Sequence, residues 1–395
     1  MNRLNLLDKN SNFNILLAGI ISLFIGVGVA RFSFTSLLPS MLSTDALSLT
    51  FAGVLASMNY AGYLAGSIFA IFIKDINTKI KYFRLGVILC VLSTVVMGIT
   101  TNEVFWLLGR VIAGFGSAML LVVGAAIVMT KLNFEDKTKA MGIYFSGIGI
   151  ALVSSDIISR YVLSFSSWEN SWIVLTFCAL FLAFYPLYIL SFDKEISQKN
   201  EKHLFNKALF SPFVLVLIVA YFTEGVGFVI QGTFLPTILK SIEGLETVAS
   251  LSWLLVGLAG IPSSIIWMRL AHKYGSINII IIAMSLQIIG ILIPTLTTNM
   301  YLNLFCGVLY GATFVGLVAL FMNLGGKLAG KNPVMLMGAL TTAYGIGQVT
   351  APLYAVSLTQ LTGNYNYALY LTALIVLFGV CILLIAKKVS ANSIK

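Results

Sequence analysis

Charge is what this sequence has least of. Asp, Glu, Lys and Arg make up 10% of its 395 residues, only 14 of them acidic, while 59% of the chain is apolar. The mean hydropathy of +0.98 lies far outside the range of water-soluble domains. Two or three soluble domains are therefore excluded, and a membrane protein is expected. Histidine is nearly absent: His203 and His272 have no ligand-spaced or triad partners near them, which excludes a metal centre and an imidazole-based enzyme. The four cysteines, Cys90, Cys178, Cys306 and Cys381, stand in apolar runs without paired spacing and read as buried free thiols. No glycine-rich loop follows a strand, so a nucleotide-driven pump is excluded and no cofactor is expected. The net charge of +10 comes from scattered residues and forms no dense patch for nucleic acid.

Long apolar runs are what the sequence has in their place. Measured against the roughly 20 residues that a helix needs to cross a bilayer, the chain offers twelve, near 13–42, 49–73, 82–101, 104–131, 138–162, 171–192, 209–239, 248–270, 277–296, 301–325, 334–361 and 366–386. They are too long and too uniformly apolar for barrel strands, so the fold class is an all-α membrane protein. The polar start MNRLNLLDKNSN precedes a run too long for a signal peptide and without a cleavage motif, which reads as an uncleaved first span. With the N-terminus inside, 20 of the 24 basic residues fall in cytoplasmic segments, as the positive-inside rule requires. Both termini are then cytoplasmic. Trp106, Trp168, Trp172 and Trp253 are expected near the outer interface and Trp267 near the inner one.

The chain echoes itself at half its length. GVGVARFSFTSLLP from Gly26 is answered by EGVGFVIQGTFLP from Glu224, with Gly225 and Gly227 set against Gly26 and Gly28, and Pro236 against Pro39, at offsets of 197 to 199 residues. Six spans per repeat give both halves the same polarity, related by an axis along the membrane normal. The expected division is a six-helix bundle over 1–192, a polar cytoplasmic linker over 193–208, and a second six-helix bundle over 209–395.

RVIAGFGSA, with Arg110 followed by Gly114 and Gly116, resembles the fourth-span pattern of the major facilitator superfamily. RLAHKYG resembles that superfamily's loop pattern between the second and third spans of a half, with His272 where an aspartate is usual and Lys273 where an arginine is usual. Its first-half copy, IKDINTKIKYFR, keeps mainly the charges. GVGVARFSFTSLLP, LYGATFVGLVAL and GALTTAYGIGQVTAP are similar to the YbfB/YjiJ group of that superfamily. The resemblance implies the two-bundle facilitator fold, a multi-pass place in a bacterial cytoplasmic membrane, and secondary transport of a small solute by a functional monomer. The fifth span, GIYFSGIGIALVSSD, has the glycines but not the proline of the drug/proton antiporter signature, which weighs against a multidrug exporter.

Four ionisable residues fall inside spans: Arg31, Arg110, Asp156 and Glu224. Such groups face a bundle interior or a water-filled path and pair there, because a charge against lipid costs several kcal/mol. At about 1.5 Å per residue, Arg31, Arg110 and Asp156 share the outer half of the membrane. Clustered, two arginines and one carboxylate leave a positive charge for an anionic solute, most naturally a carboxylate that a guanidinium grips with two hydrogen bonds. Equally open is a structural or gating pair of Asp156 with one arginine while the other binds backbone carbonyls. Glu224 lies near the midplane with no basic residue at its depth in the same half. It is a candidate for proton coupling, or else a permanently neutral partner of a neighbouring helix. Asn59, Tyr63, Gln231, Tyr344 and Gln348 are candidates for the remaining lining, with interhelical hydrogen bonding as the alternative for each.

Three classes are weighed against one another. A secondary transporter for a small organic solute is favoured; proton-antiport efflux of drugs or amphipathic metabolites is the nearest alternative. A sensor or receptor on a transporter fold would carry an appended soluble domain, and no loop exceeds about 20 residues. A membrane-embedded enzyme lacks the residues for chemistry.

Overall fold

A computed structural model describes residues 7–73, 75–132, 137–191, 211–329 and 333–392. Twelve helices follow one another: α1 (Asn12–Ser43), α2 (Leu49–Phe72), α3 (Ile76–Ile99), α4 (Glu103–Lys131), α5 (Lys137–Leu163), α6 (Trp168–Ile189), α7 (Pro212–Lys240), α8 (Leu251–Tyr274), α9 (Ser276–Leu296), α10 (Met300–Ala329), α11 (Pro333–Thr362) and α12 (Asn366–Asn392). No strand occurs among the described residues. Among the described residues, eleven of the helices are long and apolar enough to cross a membrane. α11 is 30 residues long and carries Thr341, Thr342, Tyr344, Gln348 and Thr350 along its middle. The linker expected over 193–208 lies outside the described residues.

Helix starts are set by caps rather than by the apolar runs. Asp75 accepts hydrogen bonds from the Thr78 amide at 2.7 Å and from the Thr78 hydroxyl at 2.8 Å, so α3 begins at Ile76, several residues before its apolar run. The same bonds, the amide bond foremost, hold the exposed Asp75 carboxyl below the usual carboxylate range. Ser48 and Asn102 cap α2 and α4 in the same way.

Packing repeats between the halves. In the first, α2 and α3 pack on α4, α3 also packs on α6, and α1 packs on α5 and α6. In the second, α8 and α9 pack on α10, α9 also packs on α12, and α7 packs on α11 and α12. Adding six to each helix number turns one scheme into the other, which makes the architecture two copies of one six-helix bundle. The bundles meet along α2–α11, α5–α8 and α1–α7. A two-fold axis demands this set, since it exchanges the first two contacts and maps the third onto itself.

The repeat can be fixed residue by residue. A methyl group on Gly28 would come within 2.7 Å of the Ala151 carbonyl oxygen on α5, and one on Gly225 would collide with the Tyr344 carbonyl on α11. Both glycines thus bring the first helix of a bundle onto the fifth, with the contacted residues about one helical turn out of step. Gly114 on the Asn59 carbonyl and Gly311 on the Val256 carbonyl correspond at both ends at an interval of 197, which sets Gly28 against Gly225 where the sequence had suggested Gly26.

The outer helices of each bundle carry the lipid-facing surface: Phe177, Phe181 and Phe184 form one exposed stripe on α6. Trp106, Trp168, Trp172 and Trp253 are all buried inside the protein; Trp106 packs on Phe51 and Trp168, and Trp253 on Phe32 and Tyr310. The expectation of four buried thiols fails in part. Cys90 and Cys306 are buried free thiols, but Cys178 is partly exposed and Cys381 exposed on helices that face outward.

Candidate functional site

The site is built on an irregularity in α1. From Phe24 to Phe32 the helix widens into π-helical turns, which carry more residues per turn and shift each carbonyl's amide partner along the chain, the Ser33 amide reaching the Gly28 carbonyl. Side-chain donors also gather on the carbonyls of the widened turn. The Ser33 hydroxyl donates to the Gly28 carbonyl at 2.9 Å. Arg110 of α4 donates from Nη1 to the Ala30 carbonyl at 3.1 Å and from Nη2 to the Arg31 carbonyl at 3.4 Å, with Nε 3.5 Å from the Leu55 carbonyl of α2. One guanidinium thus ties α1, α2 and α4 together at the widened turn, and the Phe34 ring covers it at 4.7 Å. Among the described residues Arg110 pairs with no carboxylate.

Arg31 stands in the widened turn and is 6% exposed. Rings surround it: its Cζ lies 4.3 Å from the centre of Tyr63, 4.7 Å from Tyr60, 5.1 Å from Phe32 and 6.0 Å from Phe228. Cation–π contact offsets part of the cost of burying the charge, about 0.5–2 kcal/mol per good contact. It does not satisfy the donors. Nε and Nη2, the two nitrogens whose N–H groups point from the same edge of the guanidinium, have no hydrogen-bond partner. Among the described residues no carboxylate pairs with Arg31.

The cluster of Arg31, Arg110 and Asp156 is not assembled. Asp156 is buried on α5, where Oδ1 accepts from the Ser36 hydroxyl at 2.8 Å and Oδ2 lies 3.1 Å from Nε of Arg160, without the alignment of a hydrogen bond. Arg160 is one turn along the same helix, and that i,i+4 proximity supplies the counter-charge that a neighbouring helix was expected to give.

The remaining candidates divide. Tyr63 belongs to the Arg31 box, and Tyr344 joins it through Phe228, with ring centres 5.9 Å apart. Asn59 donates to the Arg110 carbonyl at 3.0 Å and so links α2 to α4. Gln231 donates to the Gly290 carbonyl of α9 at 3.2 Å. Glu224 is fully buried with neither carboxyl oxygen hydrogen-bonded, and Gln287 of α9 is the polar side chain that faces it. Gln348 is buried on α11 with both side-chain polar atoms unpartnered. Asn59 and Gln231 are thus engaged within their own bundles.

Sequence reasoning missed the aromatic centre. Phe228 of α7 packs on Phe32 and Tyr60 of the first bundle and on Tyr310, Phe314 and Tyr344 of the second. The signal was present, because Phe228 lies 197 residues after Arg31. Residues related by the repeat meet on the axis, and the Thr35 hydroxyl bonds to the Gly232 carbonyl at 2.6 Å across that same interval of 197. Tyr60 with Thr233 at 3.3 Å, Lys240 with the Pro39 carbonyl at 3.4 Å, and Gln360 with Thr50 extend this contact. Together they join the bundles at the end of the molecule where α1 turns into α2.

A buried arginine at the seam of two equivalent six-helix bundles agrees with what sequence comparison finds. The family model described as "Uncharacterised MFS-type transporter YbfB" matches residues 23–384. The chain belongs to this YbfB-type family of the major facilitator superfamily. It is similar to YwfA of Bacillus subtilis, an MFS-type transporter, at 24% identity over 292 residues that cover 67% of this chain and 70% of that protein. A transporter of Buchnera aphidicola is 25% identical over 69% of this chain and 68% of its own length. The multidrug efflux pump SdrM of Staphylococcus aureus is 24% identical over 45% of this chain and 39% of that pump. For a YbfB-type transporter, the fourth-span Arg110 is here a clamp on backbone carbonyls, and every candidate residue named above lies within the matched segment.

Proposed function

We propose that this facilitator-superfamily protein is a secondary transporter that moves a small, carboxylate-bearing organic solute across a bacterial cytoplasmic membrane by alternating access, coupled to protons. The observation that carries the reading is Arg31: a buried guanidinium in a ring-lined box between the bundles, with the Nε and Nη2 donors unpartnered. A carboxylate supplies both the charge and the two acceptors that such an edge requires. Tyr63 and Tyr344 line the path beside it, with Gln348, Asn59 and Gln231 as supporting polar residues. Arg110 and the pair of Asp156 with Arg160 hold the helices that present it.

In the proposed cycle the bodies 1–192 and 209–395 rock about the seam, with 193–208 as the tether and both termini in the cytoplasm. The bonds of Thr35 and Lys240 across α1–α7, and of Tyr60 across α2–α7, then close the outer end. Glu224 is the coupling group in this scheme, a buried carboxyl that takes or releases a proton as the second bundle changes its exposure. The protein acts as a monomer in the bilayer, as a carrier and not an enzyme.

Efflux of cationic drugs is the second reading, favoured by likeness to the pump SdrM and to a protein named synaptic vesicular amine transporter. Arg31 counts against it, since a like charge in a desolvated box repels a cation. Proteoliposomes given an inward proton gradient distinguish the two. Uptake of small organic anions that collapses with an ionophore, and that Glu224→Gln turns into gradient-independent exchange, is the expected result. Gradient-driven movement of cations alone, or gradient-driven accumulation surviving Glu224→Gln, rules out the respective part.

A further inference from the structure

We infer that the Arg31 site takes an aromatic monocarboxylate, its carboxylate on the Nε/Nη2 edge of Arg31 and its ring among Tyr60, Tyr63 and Phe228. The inference rests on the transporter reading above and narrows its solute. Four features of the box lead there.

The unpartnered donors lie on one edge of the guanidinium, and that edge presents two parallel N–H groups at the spacing of carboxylate oxygens. The Tyr63 and Tyr60 ring centres lie 4.3 and 4.7 Å from the carbon of the same guanidinium, so an anion held on that edge meets ring surface beside the charge.

The acid has one carboxylate. The donors of the second buried arginine, Arg110, are directed at the carbonyls of Ala30, Arg31 and Leu55, so a second carboxylate has no cation to meet.

The body of the solute is apolar. Two of the tyrosine hydroxyls around the box are occupied, Tyr60 with Thr233 at 3.3 Å and Tyr310 with the Phe228 carbonyl at 2.9 Å. The lining is mostly ring surface, which disfavours sugar acids, whose several hydroxyls would be desolvated with too few partners.

The ring contacts favour an aromatic body over an aliphatic one. Phe228 leads to Tyr344, which stacks on Tyr221 at 4.5 Å and 18°, and Tyr221 stacks on Phe321 at 4.4 Å and 22°. A solute ring extends an existing run of offset and edge contacts, each adding to what its area alone contributes.

Binding to the purified full-length protein in nanodiscs tests this without any gradient, so that it is independent of coupling. Calorimetry with benzoate, cyclohexanecarboxylate, gluconate and benzylamine is expected to show benzoate bound, cyclohexanecarboxylate weaker by up to about tenfold, and neither gluconate nor benzylamine bound. Arg31→Lys, which keeps the charge and loses the fork, weakens benzoate by about tenfold or more. Arg31→Gln abolishes binding. Phe228→Leu brings benzoate and cyclohexanecarboxylate to equal affinity; this second variant keeps the test sound if Arg31→Gln does not fold. Gluconate or benzylamine binding as tightly as benzoate, no benzoate binding by the wild type, or benzoate binding unchanged in Arg31→Gln overturns the inference. Gradient-driven transport of a non-aromatic acid alongside absent benzoate binding overturns the aromatic class alone. Benzoate binding without gradient-driven transport defeats only the coupled-transport reading.

Discussion

α1 and α7 occupy the same place in the two bundles, yet α1 carries a buried arginine where the seam is closest and α7 carries a phenylalanine. α7 is α-helical from Pro212 to Lys240, whereas α1 widens into π-helical turns over Phe24–Phe32. At the interval of 197 residues that separates Thr35 from Gly232, Arg31 corresponds to Phe228 and Arg110 to Gly307. The wide turn, the buried arginine and the second arginine that donates to its carbonyls therefore occur together in the first bundle. In the second, Gly307 lies against the Ser252 carbonyl, where an added methyl would come within 2.8 Å, and α7 needs no clamp. What the halves share is geometry: Gly28 with Gly225, Gly114 with Gly311, Pro39 with Pro236. What they do not share is the apparatus that holds a charge in an apolar seam.

Making α1 resemble α7 tests that contrast most severely. Arg31→Phe removes the solute's counter-charge and is expected to lower transport by about 100-fold or more, the scale of losing one partner of a desolvated charged pair; membrane insertion, followed by blotting, stays intact. Transport near the wild-type rate removes Arg31 from the site. Next in size is the clamp. Arg110→Met removes the charged donors to the Ala30 and Arg31 carbonyls at about 1.5–3 kcal/mol, which lowers the melting temperature by several degrees and slows transport. An unchanged melting temperature in detergent contradicts the capping role.

The shared geometry is probed by a matched pair. Gly28→Ala and Gly225→Ala each drive a methyl into a backbone carbonyl and are expected to cost about 1–3 kcal/mol apiece. Similar losses in thermal stability support equivalence, and a loss in one alone breaks it. The smallest effect is expected at the axis. Thr35→Val removes the hydroxyl bonded to Gly232, about 0.5–1.5 kcal/mol, and shifts the balance toward opening at the α1–α2 end. A cysteine introduced at Ser33 then reacts a few-fold faster with an impermeant maleimide, and unaltered reactivity means that the bond does not govern opening.

Much of this was legible without coordinates, for physical reasons that differ by level. The bilayer imposes a length and a composition on every span, so twelve helices could be counted, and duplication left an offset that gave the two-bundle fold. α11 was found despite its threonines because its length and flanking turns remained, while the start of α3 was missed because its first turn, Asn77 to Lys79, is polar and depends on the Asp75 cap. Arg31 stood out as a charge in an apolar run. Its surroundings did not, because a sequence shows cost but not direction. The charge of Asp156 pointed to any arginine at its depth, and the nearest proved to be Arg160, one turn away. Gln231 and Asn59 looked like lining, and both turn to helices of their own bundle. Phe228 has nothing in an apolar run to mark it, and only the repeat interval of 197, given by the Gly114 and Gly311 contacts, sets it opposite Arg31.

Trp253 gives the site an optical handle. It is 1% exposed, and of the five tryptophans it packs directly on the rings around Arg31, 5.7 Å from Phe32 and 6.5 Å from Tyr310. Trp106 and Trp168 pack on each other, and the Trp267 indole donates to the Ala312 carbonyl at 2.6 Å. Indole emission responds to nearby charge and to the packing of its neighbours. A solute arriving beside Arg31, as proposed, is expected to change the native fluorescence of Trp253, and replacing the other four tryptophans with phenylalanine isolates that signal without attaching a dye.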